Sequence, residues 1–146
     1  MESFKIKHFE KENPGLSFPW FRTLKEVETL TIRQHLAGVL SLPTDVTPLV
    51  LTQCIADRSV THLGFNAEAD DFNIEVLLHR LEITPASTIY INWYRFDRID
   101  EMRFEDITRY FDYLWYPGPD DIDFFDFTAS WVLSIDHDGR VSSVHV

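Results

Sequence analysis

Four aspartates within seven positions, Asp120, Asp121, Asp123 and Asp126, make the densest carboxylate group in the chain. Grouped carboxylates can hold Mg2+, or raise one another's pKa until one of them works as an acid or base. With His137 not far along the sequence, a small metal-dependent hydrolase is one reading of this segment. Such chemistry also needs a substrate pocket and partner groups, and no motif announces them. The same aspartates serve as caps and solvated positions of a turn after Pro119, or as an acidic surface for a cationic partner.

The other candidates for chemistry are thinner. Six histidines occur, none in an HExxH pattern; Glu75 and His79 stand four apart on one helix face, within reach of one ion, but no third ligand accompanies them. Asp136-His137-Asp138-Gly139 begins like a calcium loop and lacks the further oxygen ligands and the closing glutamate, so a hairpin turn accounts for it. There is no GxSxG, GxxxxGK[ST] or GxGxxG, and five glycines leave little room for a phosphate-cradling loop. Cys54 is the lone cysteine, which excludes an internal disulfide and any CxxC site and fits a small core residue. The expectation is a protein without catalytic residues, metal or cofactor.

Charge and aromatic content point to binding. A net charge of −11 argues against direct contact with nucleic acid, whose phosphates require a Lys/Arg surface, and favours a basic partner. Residues 95–146 hold 12 acids against 5 bases and residues 1–94 hold 12 against 8, so the shorter C-terminal part carries most of the excess. The same part is the aromatic one: residues 90–131 contain 14 of the 21 aromatics. Phe104, Phe111 and Trp131 fall on apolar faces. Tyr113 and Tyr116 fall with Arg109 and Asp112 on a polar one, and tyrosine and tryptophan beside carboxylates are common interface anchors. The candidate partner-binding set is therefore Tyr113, Trp115, Tyr116, Asp120, Asp121, Asp123 and Asp126. Apolar runs fall far short of the ~20 residues of a membrane helix, and the opening residues form no signal peptide, so a soluble cytoplasmic protein with no membrane partner is expected.

The elements that must position these residues follow from periodicity. Phe4 and Ile6 alternate with charges and allow a short edge strand. Thr23 with Glu26 and Thr31 with Gln34 have capping-box spacing, giving helix over about 24–41, with a break near Thr29 and a stop at Pro43. Thr47-Pro48 opens a helix or precedes a strand. Asp71 caps a helix carrying Ile74, Leu77, Leu78 and Leu81. Residues 88–96 read as a central strand, apolar on both faces. Phe104, Ile107, Phe111 and Leu114 share a helix face, with Glu105 spaced to pair with Arg109, and Pro117 ends that helix. Trp131, Leu133 and Ile135 start a hairpin that turns at Asp138-Gly139. Together these give one domain over 1–146 of α+β class: N-terminal helices with a small, mainly antiparallel C-terminal sheet.

Tyr113-Leu114-Trp115-Tyr116-Pro117, Asp120-Asp121-Ile122, Phe125-Asp126, Ser130-Trp131 and His137-Asp138-Gly139 together resemble the C-terminal part of small acidic immunity proteins encoded beside bacterial polymorphic or contact-dependent toxins. The resemblance covers roughly the last 45 residues. It implies a cognate toxin domain as partner, a basic nuclease, neutralised by blocking its active site; it assigns no individual contact residue. A regulatory domain that binds some other basic protein is the remaining alternative, distinguished by the absence of a neighbouring toxin gene.

Overall fold

Local side-chain chemistry sets the helix boundaries in the computed structural model, which describes residues 1–146. Helix α1 (Ser3–Glu12) stands where Phe4 and Ile6 suggest a strand: Lys5 and Phe9, four apart on one helix face, are both buried, and that spacing overrides the alternation. After the short strand β1 (Phe21–Thr23), helix α2 (Glu26–Val39) runs unbroken through the buried Thr29. The backbone N–H of Lys25 donates to Glu28 Oε2 at 2.9 Å, so the cap forms two residues later than Thr23 would place it. Helix α3 (Pro48–Arg58) resolves the ambiguous stretch: Thr47 Oγ1 accepts the Val50 N–H at 3.3 Å, Pro48 takes the first turn, and an extended Ser59 leads into strand β2 (Val60–Asn66). Helix α4 (Ile74–Arg80) is capped by Asn73, whose Oδ1 accepts the Val76 N–H at 3.0 Å. Asp71 instead sits in a turn closed from Phe72 N–H to the Ala69 carbonyl.

The strand expected over 88–96 is β3 (Thr88–Asn92), which a tight turn cuts short before β4 (Ile99–Arg103). The helix expected from Phe104 is α5 (Phe104–Arg109), broken at Tyr110 and continued as a single 3-10 turn over Phe111–Tyr113. Ile107, Phe111 and Leu114 are nevertheless buried together, so their spacing identifies the correct face. Glu105 does not pair with Arg109; Arg103 takes it, at 3.5 Å, along with Asp106 at 2.8 Å. Strands β5 (Ile122–Phe125), β6 (Trp131–Ile135) and β7 (Arg140–His145) complete the chain. The β6–β7 hairpin turns where expected, with Gly139 at φ +74° and a Cβ there only 2.3 Å from Asn66 Oδ1, so this turn position requires glycine.

All seven strands join one antiparallel sheet in the order β1-β4-β3-β5-β6-β7-β2. The α+β class holds, with both edge strands drawn from the N-terminal part. Each face carries its own core. On one, Ile89, Ile91, Ile122, Phe124, Trp131, Leu133 and Ile135 pack with α4, α5 and the 3-10 turn, and α1 lies against the same side. On the other, Phe96, Ile99, Phe125, Val132 and Val144 pack with α2 and α3 through Leu36, Ala37, Leu40, Leu51 and Ile55. The two-residue repeat of a strand assigns alternate side chains to the two cores. No helix is long and apolar enough to cross a membrane.

A candidate cleft on the open face of the sheet

That two-residue repeat divides the aspartate cluster. Asp120 and Asp126 lie with Ile122 and Phe124 toward α1 and α5; Asp121 and Asp123 lie with Phe125 toward α2 and α3. Both residues of the first pair are buried and satisfied within the fold. Asp120 accepts the Lys5 ammonium and, at 2.9 Å, the Tyr116 N–H. Asp126 accepts the N–H groups of Ala86 and Thr128, the Thr128 hydroxyl and the Trp131 indole N–H. Trp115 is a core residue as well, 4% exposed and donating its indole N–H to the Asp120 carbonyl. These three members of the expected partner-binding set are thus placed inside the molecule. Tyr113 and Tyr116 are half-buried against α1, where His8 Nδ1 and the Tyr116 hydroxyl are 2.6 Å apart and the Lys5 ammonium lies 4.7 Å from the Tyr116 ring centroid. Lys5 is wholly buried, and that burial lowers its pKa against the opposing pull of Asp120.

The second pair opens onto a cleft of about 310 Å3 between α3 and the ends of β5, β6 and β7. Its floor is a row of small polar side chains crossing five strands: Asn92 pairs with Asp123, Asp123 with Ser134, Ser134 with Ser142, and Ser142 with Thr61. One step further along the same face the residues are Tyr90, Phe125, Val132 and Val144, an apolar row covered by α2 and α3. Apolar helix side chains laid over hydroxyls and a carboxylate would strip them of water without replacing its hydrogen bonds. The polar row accordingly coincides with the place where the face stays open.

Asp123 is held from two sides, by Ser134 Oγ at 2.5 Å on one oxygen and Asn92 Nδ2 at 2.7 Å on the other. Burial still pushes its pKa above the usual carboxylate range, outweighing those two hydrogen bonds, and the charge of Asp121 adds to the rise. Asp121 accepts both the backbone N–H and Nδ1 of His137 at 2.9 Å, a bond that raises the pKa of that exposed histidine, with the charges of Asp121 and Asp138 acting in the same direction. Asp136 completes the carboxylates of the cleft. The one lining cation, Arg140, is already bound to Asp136 at 3.0 Å and to Asp138 at 2.7 Å.

The rim is built at a conformational cost. Tyr94, Arg95 and Phe96 all have positive φ, of 71°, 66° and 55°. Each left-handed non-glycine residue costs about 1–2 kcal/mol. The buried Phe96 ring anchors this turn, and the fully buried Asn92 accepts the Phe96 N–H at 2.9 Å while its amide holds Asp123. Tyr94, 42% exposed, is thereby set at the mouth of the cleft, beside a second hollow lined by Glu2, Asp97, Arg98, Pro119 and Asp121.

Sequence reasoning names Asp121 and Asp123 and misses Asn92, Ser134, Ser142, Thr61 and Tyr94. A signal for the serines exists: Ser134 and Ser142 interrupt strands in which the alternate residues Val132 and Val144 are apolar. No set of three His, Cys, Asp or Glu side chains is grouped to hold a metal ion.

The fold and cleft define an acidic α+β protein with one antiparallel sheet, closed on one face and partly open on the other. Comparison with known protein families, with curated proteins and with solved structures finds no match in any of the three.

Proposed function

We propose that the protein is an immunity protein: it binds a basic toxin domain in the cytoplasm and blocks the toxin's active site. The observation that carries this reading is the convergence of Asp121, Asp123 and Asp136 on one cleft whose single lining cation is already paired twice. This leaves unneutralised negative charge at a concave, water-accessible end of the sheet, with an aromatic side chain at its mouth. Low-dielectric walls focus such a field, which raises the on-rate of a cationic partner by about 10–10³-fold. Fast capture suits a protein that must intercept a toxin before damage is done. The net charge of −11 works in the same direction, and the resemblance of the last 45 residues to immunity proteins supplies the partner's class. The contact surface is centred on Asp121, Asp123, Asp136, Asp138 and Tyr94; Tyr113 and Tyr116 lie against α1, and Trp115, Asp120 and Asp126 act through the fold. Co-expression with the toxin encoded beside this gene should restore growth, and the affinity of the purified pair should fall steeply with added salt. A toxin that kills equally well in the presence of this chain would sink the reading.

A further inference from the structure

The polar row says more about its ligand than the sign of the charge. Ser134 and Asn92 already bond to Asp123, whereas the hydroxyls of Thr61 and Ser142 have no partner within the protein, and an apolar group laid over them would strip them of water, so what enters must be polar. Asp121, Asp123 and Asp136 line the cleft with Arg140 bound to Asp136 and His137 bound to Asp121, and the carboxylate charge left over favours a cation. The ligand must also carry several donors pointing in different directions. Neighbouring strands are about 4.8 Å apart, so Asp123, Ser134, Ser142 and Thr61 present acceptors at regular intervals along a line. Each Asp123 oxygen accepts one bond within the protein, from Asn92 or from Ser134, and has lone-pair capacity to spare. An ammonium is a compact, strongly hydrated point charge. A guanidinium is planar, more weakly hydrated, and carries five N–H donors in a fixed fork. Its fork can bond two neighbouring acceptors of the row at once, Asp123 with Ser134 or Ser134 with Ser142, which suits it better than a point charge.

On this basis we infer that the cleft over Thr61, Ser142, Ser134 and Asp123 receives a guanidinium group, supplied by an arginine side chain of the protein partner. The supply of that group by a partner rests on the function proposed above; the recognition of guanidinium does not. Size agrees, since about 310 Å3 lies at the lower end of ligand pockets, which run from about 300 to 1,000 Å3, and suits one side chain better than a nucleotide. The rise in the Asp123 pKa on burial has the same meaning: an arriving cation relieves a carboxylate that the fold leaves without a counter-ion.

The test is a titration of the full chain, followed residue by residue by amide NMR, with ethylguanidine and separately with ethylamine. Ethylguanidine should shift the amides of Thr61, Asp123, Ser134 and Ser142. Ethylamine at equal concentration should act several-fold more weakly, and both responses should vanish in Asp123→Asn and shrink in Ser134→Ala while the remaining spectrum stays folded. Scattered shifts, an equal response to ethylamine, or a response that survives Asp123→Asn would each overturn the inference. The source of the group is read from affinity. Millimolar binding of ethylguanidine fits a side chain whose partner supplies the other contacts, whereas micromolar binding would identify a free guanidine compound and overturn the partner arginine. Failure here is separable from failure of the immunity reading: if Asp123→Asn loses the probe yet still protects cells fully against the toxin, the partner arginine falls while guanidinium recognition and the acidic-surface reading both stand.

Discussion

The two faces of the sheet treat charge in opposite ways, although one short segment, strand β5 with its flanking residues, contributes aspartates to both. On the side of α1, α4 and α5 the core is closed and every buried charge is matched: Lys5 meets Asp120, and Asp126 collects four donors. On the side of α2 and α3 a row of hydroxyls and a carboxylate interrupts the core, and the face is left open above it. A carboxylate whose protein partners satisfy it belongs to the fold. Asp123 also has donors, Asn92 and Ser134, but it lines an open cleft and keeps lone-pair capacity facing it, which leaves it available to a ligand as Asp120 and Asp126 are not.

The contrast can be broken most forcefully on the closed side. Lys5→Met leaves Asp120 buried without its cation, and removing one partner of a buried ion pair costs about 3–5 kcal/mol. Urea denaturation should show that loss, and Lys5→Met combined with Asp120→Asn should recover part of it. Asp126→Ala comes next: it strands two backbone N–H groups and the Trp131 indole, with an expected loss of about 2–3 kcal/mol, at the scale of unsatisfied buried donors. Asp121→Ala on the open side removes only contacts to the exposed His137 turn and should stay within about 0.5 kcal/mol of the parent, while weakening capture of a basic partner at low salt. If Asp121→Ala proved as destabilising as Asp126→Ala, the division of the cluster into structural and ligand-facing pairs would be untenable.

The closed side was also the more legible in the sequence. Ile74, Leu77 and Leu78, then Ile107, Phe111 and Leu114, and then Trp131, Leu133 and Ile135 all mark its core by spacing alone. The open side is hidden because polar residues alternating with apolar ones along a strand read as ordinary solvent positions. Ser134 and Ser142 therefore read as ordinary exposed serines, and only the register, which depends on contacts distant in sequence, aligns them with Asp123 and Thr61. The left-handed turn at Tyr94–Phe96 carries no glycine, asparagine or aspartate to announce it; tertiary anchoring of Phe96 and the Asn92 amide impose it. The aspartate cluster was visible as composition, but its division depends on phase. A one-residue shift in where β5 begins would exchange the structural and the open pairs.

The smallest expected effect has the opposite sign and is the sharpest test. Burial holds the Asp123 pKa above that of an aspartate in the unfolded chain, so between the two values the folded protein binds more protons. Stability must then fall as pH rises through that window and remain at the lower level at neutral pH. Asp123→Asn removes the charge while keeping the shape: its Oδ1 can accept from Asn92, and its Nδ2 can donate to a rotated Ser134 hydroxyl. The variant should therefore melt slightly above the parent at pH 7, with the advantage shrinking as pH falls toward the unfolded carboxylate pKa of about 3.9. Binding of ethylguanidine should be lost in the same variant. A lower melting temperature at pH 7 would place Asp123 with Asp120 and Asp126 as a carboxylate the fold needs, and the two faces would no longer differ in kind.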